Sequence, residues 1–123
     1  MASRLMTQEL VEDWKDHQLY SQDGKKTDAI CNCVFSIGNI TWYILEGQPE
    51  GTDFILYGIV VGMDQTHEYG YNSLKEMSEL KLETGIPYHP FAQIEMAKEF
   101  KPTKLKDIKD QRLQNFLDSL YSK

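Results

Sequence analysis

Three groups of side chains in this chain of 123 residues have the types and spacing to do chemistry. Asp64, His67 and Glu68 fall within one predicted turn. A carboxylate and an imidazole so placed can hold a metal ion or move a proton near neutral pH. A solvated hairpin loop explains the same residues more simply and is the preferred reading. Glu46, Glu50 and Asp53 flank a second turn, Gly47-Gln48-Pro49-Glu50-Gly51. Paired carboxylates can act as acid and base or hold a divalent ion, but an acidic Gly/Pro loop also simply keeps a protein soluble. Tyr69 and Tyr71 stand two apart, on one face of a short strand. Core or half-buried packing is the preferred reading of both; an exposed pair beside acidic residues would suit a protein-binding patch, since aromatics dominate interface hot spots. Base stacking is the competing use of such a face.

Other sources of reactivity are missing from the sequence. Gly58 and Gly62 sit in an apolar run and lack the Lys-Ser/Thr ending of a phosphate loop. There is no Gly-x-Ser-x-Gly elbow. His17, His67 and His89 are far apart. Cys31 and Cys33 are two thiols, whereas a structural zinc site takes four ligands, so they read as buried reduced cysteines on one strand face. The expectation is therefore a protein without metal or cofactor, and non-enzymatic, with Asp64, His67 and Glu68 as the candidates should it prove catalytic.

Charge narrows the partners. The chain holds 13 basic and 19 acidic residues, a net charge of −6. That balance disfavours general nucleic-acid binding and an anionic membrane surface, both of which reward cations. No apolar run approaches the roughly 20 residues of a membrane span, and residues 1–20 lack a signal-peptide pattern. A soluble, cytoplasmic protein is expected. Residues 1–100 carry a net −9 and residues 101–123 a net +3. The body suits a cationic partner, while Lys101, Lys104, Lys106, Lys109 and Arg112 are expected on a basic terminal helix.

The elements that must position these groups follow from periodicity. Leu10, Val11 and Trp14 predict a first helix over 7–18. Ala29–Ile37 and Ile40–Glu46 predict a hairpin across Gly38-Asn39. Its neighbours Trp42 and Tyr43 face opposite sides, one in the core and one partly exposed. Phe54–Met63 predicts a central strand buried on both faces, with Gly58 at a bulge or close approach. Tyr69-Gly70-Tyr71 predicts a short fourth strand. Ser73-Leu74-Lys75-Glu76 is a capping box, predicting a helix from Ser73 to about Glu83. Pro87 and Pro90 predict irregular chain over 86–90, and 91–100 fits either helix or strand. Leu105–Tyr121 predicts a final amphipathic helix, with Leu105, Ile108, Leu113, Phe116, Leu117 and Leu120 on one stripe. Together these predict one α+β domain over 1–123, a mostly antiparallel sheet of four to five strands with two to three helices covering one face.

The run Thr41-Trp42-Tyr43, Glu46-Gly47, Thr52-Asp53-Phe54, Tyr57-Gly58, Val61-Gly62 and Glu68-Tyr69-Gly70-Tyr71 with Ser73-Leu74 resembles the family called domain of unknown function 2958. Leu19-Tyr20-Ser21 and Gly85-Ile86-Pro87 are similar too. The resemblance spans roughly residues 5–108, with the final helix, about 104–122, largely an extension. It implies a small protein of a bacterial plasmid, conjugative element or phage, with no established catalytic set. Joined to the acidity, it implies an anti-CRISPR inhibitor in the bacterial cytoplasm. Such an inhibitor would occupy the cationic channel of an RNA-guided nuclease and block guide or target loading, with Glu46, Glu50, Asp53, Tyr69 and Tyr71 facing the partner. The alternatives are a small nuclease or hydrolase trimming guide RNA, and a regulatory binding protein of conjugation or plasmid replication that docks through the basic helix.

Overall fold

The computed structural model describes residues 18–22, 24–63, 66–86, 89–97 and 100–121. The first helix expected over 7–18 lies outside them, apart from its last residue. Strand β1 is Ile30–Cys31, β2 Cys33–Ile37, β3 Ile40–Glu50, β4 Asp53–Met63 and β5 Thr66–Ser73. Helix α1 is Leu74–Glu79, followed by β6 Lys81–Ile86, β7 His89–Gln93, β8 Glu95–Met96 and β9 Thr103–Lys104. Helix α2 is Gln111–Tyr121. The fold is α+β. Its main sheet has the order β5-β4-β3-β2-β8, with every neighbouring pair antiparallel, and two two-stranded ribbons, β1-β9 and β6-β7, flank it.

The hairpin across Gly38-Asn39 forms as its sequence predicts, with Ile37 opposite Ile40. The middle strand of the sheet is β3, not the Phe54–Met63 run that the sequence marks as central; β4 is an interior strand between β3 and β5, and alternation along it feeds two cores. Phe54 and Leu56 pack with Phe35, Trp42 and Ile44 under α1, whose Leu74 and Met77 close that side. Ile59 and Val61 pack with Tyr43 and Leu45 against Leu113 and Leu117 of α2. The helices therefore lie on opposite faces of the sheet, not on one. This is why Trp42 and Tyr43 are both buried, where the sequence suggested one exposed ring. Cys31 and Cys33 also part company. Asn32 interrupts the strand, turning its amide to the carbonyls of Ile30 and Leu45. The thiols consequently enter different cores, both buried and reduced.

Three boundaries differ from the sequence pattern. α1 starts at the Ser73 cap, whose Oγ accepts the Glu76 amide at 3.1 Å, but stops at Glu79. Residues 81–86 pair instead with 89–93 as a hairpin. Pro90 fits there because the register slips between Glu83 and Ile86, so no ladder donor is required of it. The third boundary is at the terminal helix. Leu105–Asp107 is a 3-10 turn, Ile108 is extended, and the α-helix begins only after Asp110. Four of the five basic residues thus precede the helix, and only Arg112 lies on it.

Asp110 anchors that helix. Its Oδ1 accepts the Arg112 amide at 3.0 Å as an N-cap. Its Oδ2 takes the Tyr43 hydroxyl at 2.6 Å and the Arg112 guanidinium at 2.9 Å. Arg112 also donates to the Asn39 carbonyl in the β2–β3 turn. Burial alone would raise the Asp110 carboxyl, but the Arg112 and Tyr43 hydrogen bonds outweigh it and hold it down to about 2.

Two measurements test this account. Gly58 lies where an added Cβ would collide with the Tyr43 carbonyl and the Ile44 backbone, whereas one at Gly70 meets open space. Gly58→Ala should therefore lower unfolding stability by roughly 2 kcal/mol or more and Gly70→Ala by no more than roughly 0.5, read from urea midpoints. The folded pKa of Asp110 is depressed from its reference of 3.8. Its contribution is thus full above that reference and is lost as pH falls toward about 2. The stability gap between the native chain and Asp110→Asn should shrink by roughly 2 kcal/mol across that window.

Candidate functional site

A bulge builds the site. Ile44 pairs with Gly58 and Glu46 with Tyr57, leaving Leu45 as the extra residue. The bulge turns the Leu45 carbonyl out of the ladder, where it accepts the Gln22 amide at 2.7 Å and the Asn32 amide at 3.0 Å. It also places Glu46, 2% exposed, on the α2 face of the sheet. Its Oε1 accepts the Tyr20 backbone N–H at 2.7 Å and its Oε2 that of Gln22 at 2.8 Å. The Gln22 side chain in turn holds β1, taking the Ile30 N–H at 2.6 Å and donating to the Ile30 carbonyl at 2.8 Å. One carboxylate thereby folds the Tyr20–Gln22 turn over the sheet.

Tyrosines line the ground beside it. Across the ladder Glu46 faces Tyr57 and Tyr57 faces Tyr71, with Ile59 and Tyr69 on the next rung of that face. The Tyr57 and Tyr69 rings stack at 5.8 Å and 15°, and Tyr57 meets Tyr71 at 4.8 Å. The Tyr69 and Tyr121 hydroxyls are 2.8 Å apart. Burial, then the Tyr121 hydrogen bond, pushes the Tyr69 phenol well up. The Tyr20 hydrogen bond is the main cause raising Tyr71 to about 12. Glu46, Tyr57, Tyr69, Tyr121, Gln22 and Lys26 border a cavity of about 310 Å³, the size of a small ligand site. Tyr20 and Tyr71 stand outside it, 64% and 55% exposed.

The residues singled out in the sequence are scattered more than they are gathered. Glu46 is buried beneath the turn, so it is not an exposed surface acid and faces outward only through the cavity it borders. Asp53 anchors α1, accepting the Phe54 and Lys75 amides at 2.7 and 3.0 Å and the Ser73 hydroxyl. Burial works against its charge, but these hydrogen bonds prevail and its carboxyl is lowered. Glu50 is exposed at the tip of the β3–β4 hairpin. Tyr69 is half-buried under Phe116, and Tyr71 is open. His67 and Glu68 are adjacent on β5 and so point to opposite faces. The His67 Nδ1 accepts the Gly62 N–H at 3.2 Å across the hairpin. Asp64 lies outside the described residues. No group of three metal-ligating side chains converges among the described residues, and no helix there is long and apolar enough to cross a membrane.

Sequence reading passed over Tyr20, Gln22, Lys26, Tyr57 and Tyr121. The one available signal is the repeated Tyr-Gly of Tyr57-Gly58 and Tyr69-Gly70, which marks where two neighbouring strands carry rings. No family model, curated protein or solved structure matches this chain.

Glu46→Ala should leave the Tyr20 and Gln22 amides without acceptors. Stability should fall by roughly 3 kcal/mol, and hydrogen exchange should accelerate at those two amides more than in β4. Unchanged exchange there would show that the carboxylate does not hold the turn.

Proposed function

We propose that this chain acts by binding, not by catalysis, and that a cationic protein docks on its tyrosine face. The observation that carries the reading is the pair Tyr20 and Tyr71, more than half exposed on a sheet face that α2 otherwise covers. Tyrosines of this kind are hot-spot residues, rigid and amphipathic. Net charge supplies the sign of the partner: a body at −9 attracts a cationic surface over a wide area. The resemblance noted in the sequence supplies the setting, in which the partner is an RNA-guided nuclease of host defence and the chain an anti-CRISPR inhibitor in the bacterial cytoplasm. The contact chemistry differs from that first expected. Tyr20, Tyr57 and Tyr71 form its centre, Glu50 is a rim charge, and Glu46 and Asp53 work inside the fold.

Guide trimming by Asp64, His67 and Glu68 is less well supported, because His67 and Glu68 face apart and the His67 Nδ1 already accepts a backbone N–H. Docking through a basic helix in conjugation or replication is also weaker, since α2 carries one cation, already paired to Asp110.

The test is a cleavage assay with a guide-loaded RNA-guided nuclease and a labelled target duplex. The chain should inhibit cleavage, less so as salt rises, and leave the guide RNA intact. Tyr71→Ala should weaken inhibition by roughly tenfold or more without changing the melting temperature. Shortened guide RNA would overturn the binding reading, and undiminished inhibition by Tyr71→Ala would remove the tyrosine face from it.

A further inference from the structure

We infer that the cavity beside Glu46 is a cage for an alkylammonium group, and that Lys26 occupies its rim as an internal stand-in for that group. The inference deepens the binding reading and rests on it, for the ammonium is then a lysine side chain of the cationic partner. Three observations converge. First, three tyrosines border the cavity: Tyr57 stacks on Tyr69, and Tyr69 is tied to Tyr121 through their hydroxyls. Aromatic faces carry negative quadrupole charge and attract cations. Second, the Lys26 Nζ already lies 5.8 Å from the Tyr121 ring centroid, within the roughly 6 Å reach of such an attraction. Third, Glu46 borders the cavity as a buried carboxylate. Each of its oxygens accepts one backbone N–H, which leaves acceptor capacity on both. Among the described residues it has no cationic partner.

The alternatives fit less well. An anion would be repelled by Glu46. A neutral apolar ligand would gain nothing from the carboxylate and would have no reason to compete with an ammonium over Tyr121. A nucleotide could stack on the rings but would bring phosphate toward Glu46.

The cage can be tested on the isolated chain, independently of any nuclease. Choline, its neutral carbon isostere 3,3-dimethylbutan-1-ol and a doubly blocked lysine are titrated against tyrosine fluorescence. Choline and the blocked lysine should give saturable changes and the alcohol none. Lys26→Met, an exposed substitution that leaves the core untouched, should tighten choline binding by roughly threefold by removing the internal competitor. Tyr121→Leu should weaken binding, with an unchanged melting temperature showing that the fold survives. An equal response to the alcohol, or unaltered affinity in Lys26→Met, overturns the cage. Choline binding without blocked-lysine binding overturns the partner lysine as occupant and assigns the cage to a quaternary ammonium. Ammonium binding by a chain that fails the cleavage assay keeps the cage and refutes the nuclease reading. Inhibition by a chain that binds neither ammonium probe refutes the cage alone.

Discussion

The carboxylate of Glu46 meets two backbone N–H groups of one turn, and much of the described structure hangs on that contact. A buried carboxylate is costly to desolvate unless its oxygens are satisfied. Here each oxygen receives a short bond from a turn more than twenty residues earlier in the chain. The same turn places Gln22, whose side chain saturates the Leu45 carbonyl freed by the bulge and both backbone groups of Ile30. Removing the acid therefore affects more than one bond. It unfastens the lid of the tyrosine cavity and the support of β1, and it leaves buried donors without partners.

Two bulges decide which rings share a face. A β-strand has a side-chain period of two, so a single inserted residue exchanges its faces. In the β3–β4 pair the insertion at Leu45 brings Glu46 to the side of Tyr43 and Ile59. In the β4–β5 pair the register slips between Val60 and Met63, where Gly62 has φ +94°, a backbone region glycine adopts without strain. Beyond that slip Tyr57 stands opposite Tyr71. Without it, Tyr57 would face Asn72 and the two tyrosines would lie on opposite sides. The cavity is thus a consequence of local irregularity in an otherwise ordinary meander.

Those irregularities mark the limit of what the sequence makes legible. The hairpin at Gly38-Asn39, the burial of β4 on both faces and the Ser73 cap are readable because each depends on local pattern or turn chemistry. The burial of Glu46 is not, because its partners are backbone amides of a distant turn and amides leave no trace in residue identity. The early stop of α1 is hidden for a related reason. Lys81–Ile86 has tolerable helix formers, and only its pairing with β7 makes it a strand. Pattern also ran the terminal helix too far back, since Leu105 and Ile108 keep an apolar period that a 3-10 turn and an extended residue satisfy equally well. The Cys31/Cys33 alternation failed at Asn32, whose side chain bonds to carbonyls and breaks the strand.

The uneven charge acquires a structural explanation from these corrections. The basic residues of 101–112 do not form a helical stripe. Lys106 lies 3.0 Å from Asp28 of the body, an exposed pair that solvent screens. Arg112 is held more firmly, sharing Asp110 with the Tyr43 hydroxyl and reaching the β2–β3 turn. These cations fasten the terminal segment to an acidic body, so local attraction accounts for part of the +3 without a second partner. The body as a whole stays negative, and the fold leaves aromatic surface open at Tyr20 and Tyr71. In the binding reading proposed above, a docking cation would meet these rings before it met the buried Glu46 carboxylate. Long-range attraction would gather the partner, while the tyrosines and the sequestered Glu46 would decide which cationic group stays.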